Sequence, residues 1–383
     1  MSAQSPPPPA RGAARVLGRL AGHSDTVLCC DVAPSQHCLA SGGEDGSLFL
    51  FDLRSHEPAG KLACFEGEAV LSVVHSPRAE HELLAAAGGS VFFLDTRAAA
   101  GGGAAPVTNS VSISEEEVNQ IVVDSKGRFA AAADDNGDVV ILDLAAQAVK
   151  RRLSPHSESI CCGVAFRPHR PWEVLSGGCD CVLAHSDFST GRRLQLWDMG
   201  AEAVESGGQM FNPPHINSIA VPGTERRPFC RMVAAGRGDG AVVVYDADAK
   251  VGQKGMGKGK GKAKGSASRA GGQPESRCCL LDAEAGGHTA SVAHVTFPQW
   301  GEGAQLLSAG NDRALILWDW QRAQQQQADG GEAGEGASPE HSAVAAHVKL
   351  KHKANWLATA QGHPGHVFVA DTSSALSVLS LGE

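Results

Sequence analysis

The sequence predicts an all-β fold, a seven-bladed β-propeller closed by an N-terminal strand, and three observations carry that expectation. A unit of short apolar strands and tight turns recurs along the 383 residues, each clear unit ends a strand on Asp, and a strand-like segment near the N-terminus is left over to complete the last unit. A chain this long exceeds the usual single-core size of about 250–300 residues, so it is either two domains or one ring of small repeats. The repeats decide for the ring.

The clearest unit opens at Gly22-His23, runs through an apolar stretch to Leu39-Ala40-Ser41-Gly42, turns at Asp45-Gly46 and ends Leu48-Phe49-Leu50-Phe51-Asp52. Another opens at Gly287-His288, passes Leu307-Ser308-Ala309-Gly310 and Asp312, and ends Ile316-Leu317-Trp318-Asp319. Each reads as three short strands with a fourth implied. Asp-Gly at the second turn suits a tight hairpin, because glycine tolerates the positive φ such turns demand. Counting back six residues from the closing Asp finds Gly46 before Asp52, Gly89 before Asp95, Gly137 before Asp143 and Gly240 before Asp246, while Arg313 holds that place before Asp319. In the fourth unit Trp197-Asp198 lies too far beyond Cys181 to close the strand. The same spacing counted from Cys181 reaches Asp187, which ends Val182 to Ser186 and puts Trp197-Asp198 on the outer strand.

The closing residues are therefore Asp52, Asp95, Asp143, Asp187, Asp246 and Asp319, spaced 43 to 73 residues apart, where about 40–45 is usual. Insertions at 250–272, rich in Gly and Lys, and at 324–346, rich in Gln, Gly and Glu, account for the long gaps. Both lack the apolar residues that offset ordering entropy and read as disordered loops on the rim. A seventh unit runs from Val348 through Asn355-Trp356-Leu357 and Val367-Phe368-Val369 to Leu376-Ser377-Val378-Leu379. It stops one strand short, and Arg15 to Leu20 can supply the missing outer strand, leaving only short protected edges. Residues 1–13, with Pro6 to Pro9, read as a disordered N-terminus, and 14–383 as one propeller.

With 42% apolar and 20% charged residues the composition is that of an ordinary globular protein. A net charge of −9 argues against a surface broadly attracted to nucleic acid or acidic membranes. No signal peptide or membrane-spanning run is apparent, so the cytoplasm or nucleus is expected. Eleven cysteines, including the adjacent pairs Cys29-Cys30, Cys161-Cys162 and Cys278-Cys279, fit free thiols in a reducing compartment.

The Gly-His opening, small Ser-Gly strand, turn Asp and Trp-Asp ending of Gly287 to Asp319 resemble the WD-repeat family. Further segments resemble the WD repeat-containing protein 53 family within it: Ser114 to Asn119, Ala133 to Gly137 followed by Ile141-Leu142-Asp143-Leu144, Val164 to Pro171, and Asn355-Trp356-Leu357 with Val369-Ala370-Asp371. The resemblance implies a hydrogen-bonded His, Ser, Asp and Trp within a blade, which only His288, Ser308, Asp312 and Trp318 complete. The first blade has His23, Ser41 and Asp45 but Phe51, without an indole donor. The fourth has His156, Ser176 and Asp180 with Ser186 in the Trp position. Blades two, three and seven keep little of the set and must rest on strand pairing and apolar packing.

His288, Asp312 and Ser308 match a catalytic triad in composition only, since nothing supplies an oxyanion hole or a strained nucleophile turn. No catalytic residue, metal ligand, cofactor or small-molecule substrate is expected. Cys179-Asp180-Cys181 with Cys161-Cys162 departs from the spacing of zinc sites and reads as buried small hydrophobes. Gly42-Gly43 and Gly177-Gly178 end strands before turns, so they make no phosphate loop. The basic run Lys254 to Lys264 reads as a solvated rim loop, with contact to nucleic acid or an import receptor as the alternative. It has no interleaved aromatics for base stacking. Asn119, Asn217 and Asn355 recur at one point of the innermost strand, near a channel mouth, where they either read a partner's peptide or hydrogen-bond channel water.

Phe51-Asp52-Leu53-Arg54 and Leu94-Asp95-Thr96-Arg97 both place Arg two residues after the closing Asp. They resemble the Trp-Asp-x-Arg signature by which WD-repeat substrate receptors engage the damaged-DNA-binding adaptor of cullin 4 ubiquitin ligases, with Phe51 and Leu94 in place of Trp. The resemblance implies a protein-interaction scaffold serving as a ligase substrate receptor through Arg54 and Arg97. The plainer reading is that each Arg pairs with a nearby surface carboxylate.

Overall fold

The computed structural model describes residues 14–97, 107–156, 158–201, 212–249, 276–328 and 343–382. They form seven four-stranded antiparallel sheets, the blades of one propeller. The innermost strands are Val27–Val32, Val70–His75, Val118–Val123, Cys161–Phe166, Ile216–Ala220, Val292–Thr296 and Ala354–Thr359. Each packs against the next, and the last against the first, so the ring is closed. The outer strand of blade seven is Arg15–Ala21, paired antiparallel with Ala375–Ser380 from Arg15 opposite Ser380 to Ala21 opposite Ala375. The expected N-terminal closure is thus observed, and residues 1–13 lie outside the described residues.

The apolar core is divided into seven clusters, one in each seam between neighbouring blades. The second and third strands are buried on both faces by this arrangement, which is why Leu48-Phe49-Leu50-Phe51 is a continuous apolar run and does not alternate. Each fully buried Leu or Phe in a seam contributes about 1.5–3 kcal/mol.

All six closing Asp residues end the third strands of blades one to six, and Trp197-Asp198 lies on an outer strand, Arg192–Asp198. Their recurrence has a local cause. Each carboxylate accepts a backbone N–H two or three residues on, at Arg54, Arg97, Ala145, Ser189, Asp248 and Arg322, and so holds the turn that leaves the strand.

The residue six places earlier has positive φ at Gly46, Gly137 and Gly240, and also at Cys181 and Arg313. Blade two departs from this pattern. Its hairpin pairs Ala87 with Ser90, leaving a two-residue turn in which Gly88, not Gly89, takes the positive φ. Gly89 is required for another reason: a Cβ there would sit 2.2 Å from the Ser114 carbonyl oxygen.

The insertion expected at 324–346 is shorter than the sequence suggests. Residues 320–328 form a helix, Trp320–Ala328, and 344–346 begin the outer strand Val344–Lys349. Ala and Gln are good helix formers, and buried Trp320, donating its indole N–H to the Gly303 carbonyl at 2.8 Å, anchors the first turn. From the last turn Gln327 bonds both the N–H and the carbonyl of Leu280, covering part of the outer edge of blade five. Residues 329–342 and 250–275 lie outside the described residues.

Blades three and five, which lack the His-based set, hold other polar groups. In blade three Arg152 bonds Asp138 at 2.8 Å and the Ile113 carbonyl, and Asp138 N–H bonds Asp134. In blade five the buried Arg237 pairs with Asp239 at the same turn. Between blades four and five, buried Arg167 bonds Glu173 and Asp248, both at 2.8 Å, and Glu173 also takes His185 at 2.8 Å.

Candidate interaction faces

The seven innermost strands share one irregularity. Pairing with the second strand skips a residue from Val27 to Cys29, Val70 to Ser72, Val118 to Gln120, Cys161 to Gly163, Ile216 to Ser218, Val292 to His294 and Ala354 to Trp356. Each skip is a β-bulge, which re-aims the extra residue. Leu28, Leu71, Asn119, Cys162, Asn217, Ala293 and Asn355 therefore ring a channel mouth of about 330 Å³.

The asparagine amides in this ring have a role that neither sequence reading anticipated. Asn119 Nδ2 donates to the Cys161 carbonyl at 3.1 Å and to Asp135 at 2.7 Å. Asn217 donates to the Val292 carbonyl at 2.9 Å and to Ser291 at 2.8 Å, and Asn355 to the Val27 carbonyl at 2.8 Å. In each case the acceptor carbonyl belongs to the first residue of the next innermost strand. The asparagines clasp adjacent blades at the mouth.

One residue deeper, a second set of clasps was missed by sequence reasoning. Ser72 accepts the Ile121 N–H at 3.1 Å, Gln120 the Val164 N–H at 2.8 Å, Ser218 the Val295 N–H at 3.1 Å and His294 Nδ1 the Leu357 N–H at 3.3 Å. The available signal was a polar residue recurring at the third place of the innermost strand, at Ser72, Gln120, Ser218 and His294. Burial pushes the His294 imidazole down to about 3, so it stays neutral as an acceptor.

Unfolding restores an ordinary His pKa of about 6.5. The contribution of His294 is therefore fully present above that value and is lost as pH falls toward about 3. His294→Gln keeps an acceptor, as Gln120 does in blade three. Wild type should lose up to about 1.4 kcal/mol per pH unit relative to this variant across the window, read from urea midpoints between pH 7 and pH 4. Parallel pH profiles would contradict a buried neutral imidazole.

The set His288, Ser308, Asp312 and Trp318 is fully assembled in blade six. Trp318 donates its indole N–H to Ser308 Oγ at 2.8 Å; Ser308 lies 2.8 Å from His288 Nε2, and His288 Nδ1 lies 3.1 Å from Asp312. Because indole only donates, Ser308 donates its O–H to Nε2, and Nδ1–H faces the carboxylate. Burial pushes the imidazole below its ordinary range against the opposing pull of Asp312. Ser308 is fully buried with its oxygen occupied, which makes the trio a structural strut. Blades one and four repeat three of the four members, with His23 2.8 Å from Ser41 and His156 2.9 Å from Ser176.

Arg54 and Arg97 lie at the other end of the ring. The innermost strands begin at the mouth and the third strands end away from it, so both arginines emerge on the opposite face, from neighbouring blades. Each is paired with its own closing Asp: Arg54 Nη2 is 3.3 Å from Asp52, and Arg97 Nε is 2.9 Å from Asp95, with a second contact through Nη2. Both side chains remain exposed, at 70% and 68%. The Arg97 head group holds the Asp95 carboxyl down to about 2. Beside Arg97, between blades two and three, lies a groove of about 450 Å³ whose lining mixes polar Arg78, His81, Glu82, Thr108 and Gln147 with apolar Phe93 and Leu144.

The cysteines differ from expectation. Cys161 is buried, whereas Cys162, Cys179 and Cys181 are half-buried near the mouth, because Cys162 is a bulge residue and the others lie in the turn beside it. Among the described residues no group of three or more His, Cys, Asp or Glu is arranged to hold a metal ion. Nor is any described helix long and apolar enough to cross a membrane. The basic run Lys254 to Lys264 lies outside the described residues.

Seven four-stranded blades arranged in a closed ring define the class, and the chain is a seven-bladed β-propeller with a His, Ser, Asp and Trp strut in blade six. Residues 14–52 match the family model described as WD domain, G-beta repeat. Over 381 residues, 95% of this chain and 94% of the relative, it is 22% identical to the WD repeat-containing protein 53 homolog of Dictyostelium discoideum. WD-repeat propellers generally bind other proteins.

Proposed function

We propose that the chain is a protein-interaction scaffold acting in the cytoplasm or nucleus, and more specifically a substrate receptor of a cullin 4-type ubiquitin ligase. Arg54 and Arg97 would contact the adaptor, leaving the channel mouth free for a substrate. The observation that carries this reading is the placement of two exposed arginines at equivalent positions of adjacent blades, with a groove of mixed polar and apolar lining beside one of them. Phe51 and Leu94, standing where the signature has Trp, are buried in the blade seams. Their replacement therefore changes core packing and leaves the arginine-bearing surface intact. The ion pairs to Asp52 and Asp95 are solvent-exposed and contribute little to stability, so the guanidinium heads can exchange them for acceptors on a partner at small cost. Arg suits the role because its planar fork can satisfy several acceptors and stays charged.

The test is co-precipitation of the adaptor with wild type and with the Arg54→Ala/Arg97→Ala double variant. The double variant should bind at least about 30-fold more weakly, the scale of a hot-spot loss of about 2 kcal/mol, while its melting temperature stays within a degree or two of wild type. Equal recovery, or none from wild type, would leave a scaffold without the ligase role.

A further inference from the structure

The thiols of Cys162 and Cys179 lie 3.5 Å apart, close enough to share a hydrogen bond. They sit where the innermost and second strands of blade four meet the mouth. Cys161 pairs with Gly178, so bulged Cys162 and the following Cys179 are brought side by side. His215, from the segment leading into blade five, bonds the Cys179 carbonyl through Nδ1, and Cys181 Sγ lies 3.6 Å from the same nitrogen. Both members of the pair are half-buried, and Cys162 lines the channel, so a small oxidant can reach them. Of the remaining cysteines, Cys29, Cys30, Cys161, Cys230 and Cys279 are buried, and the half-buried Cys38, Cys64, Cys181 and Cys278 show no comparable thiol–thiol contact.

We propose that Cys162 and Cys179 are a modification site, a dithiol at the channel mouth that a hydroperoxide converts to an intrachain disulfide. The Cys179 thiolate attacks one peroxide oxygen and the O–O bond breaks. Cys179 becomes a sulfenic acid, and the departing hydroxide takes up the proton that the thiol had released, giving water. Cys162 sulfur then attacks the Cys179 sulfur, the S–O bond breaks, and the hydroxyl leaves with the Cys162 proton as a second water. Two thiols are oxidised by two electrons and one peroxide is reduced. Cys179 is the first to react because the hydrogen bond it shares with Cys162, together with the nearby His215, holds its thiol well below the ordinary range; Cys162 is pushed upward by the same hydrogen bond and by burial. Bonding requires the sulfurs to close from 3.5 Å to about 2.05 Å, within reach of side-chain rotation.

The experiment uses the full chain, reduced and desalted, treated with a small excess of hydrogen peroxide, then denatured and alkylated with a maleimide. The expected result is alkylation of nine of the eleven cysteines, a non-reducing peptide map joining Cys162 to Cys179, and recovery of all eleven sites after dithiothreitol. Cys162→Ser should instead leave a sulfenic acid on Cys179 that dimedone traps. Full alkylation after peroxide, a first link through Cys181 or any other cysteine, or a bond between two chains would each overturn the proposal. The wild-type map decides the matter even if the variant does not fold.

Discussion

Trp318→Ala is expected to lower the stability of the propeller by about 3–5 kcal/mol, the usual cost of removing a large buried aromatic. Trp318 is fully buried in the seam between blades five and six and is one of the largest enclosed side chains. Its loss opens a cavity and also removes the only indole donor to Ser308. Trp318→Phe separates the two effects. It keeps most of the apolar volume and loses one hydrogen bond, so about 1 kcal/mol is expected, and blade one supplies a natural precedent with Phe51 in the same register. Urea unfolding of the two variants measures both. If alanine melts like wild type, the assignment of Trp318 to a packed seam is wrong.

Removing residues 1–22 should cost more. The strand Arg15–Ala21 makes six register pairs with Ala375–Ser380 and fully buries Leu20. At about 1 kcal/mol for each of roughly six backbone hydrogen bonds and about 2 kcal/mol for the leucine, the loss is on the order of 8 kcal/mol. The truncated ring also exposes an unpaired edge, which invites pairing with another copy. Lower urea midpoints and concentration-dependent elution on size exclusion are expected. A truncated chain that melts like wild type and elutes as a single species at all concentrations would show that closure lies elsewhere.

The blades were legible in the sequence because their signals are local. A closing Asp holds a turn two or three residues away, and a residue six places earlier supplies positive φ, so both leave a trace at fixed spacing. The same locality misplaced blade two by one residue, since its shorter hairpin moves the positive φ to Gly88 while Gly89 is fixed by a contact with Ser114. Polar groups that work between blades were not legible. Asn119 answers Cys161 across 42 residues, and Arg167 answers Asp248 across 81. Nothing in the intervening sequence marks such pairs. Arg54 and Arg97 were placed on a common face from spacing alone, whereas their pairing with Asp52 and Asp95 and the groove beside Arg97 depend on side-chain conformation and on the approach of blade three.

The ring's closure also sets a timetable for folding. Blades one to six are each built from consecutive strands and can assemble as the chain leaves the ribosome. The strand Arg15–Ala21 is made first and must wait for Ala375–Ser380, more than 350 residues later. At about 5–20 residues per second that is an interval of tens of seconds, during which a seven-residue β-edge has no partner. Closing so long a loop is entropically slow. The final step in maturation is therefore the meeting of the two ends of the propeller, and the nascent protein is most open to chaperone capture and misassembly just before it.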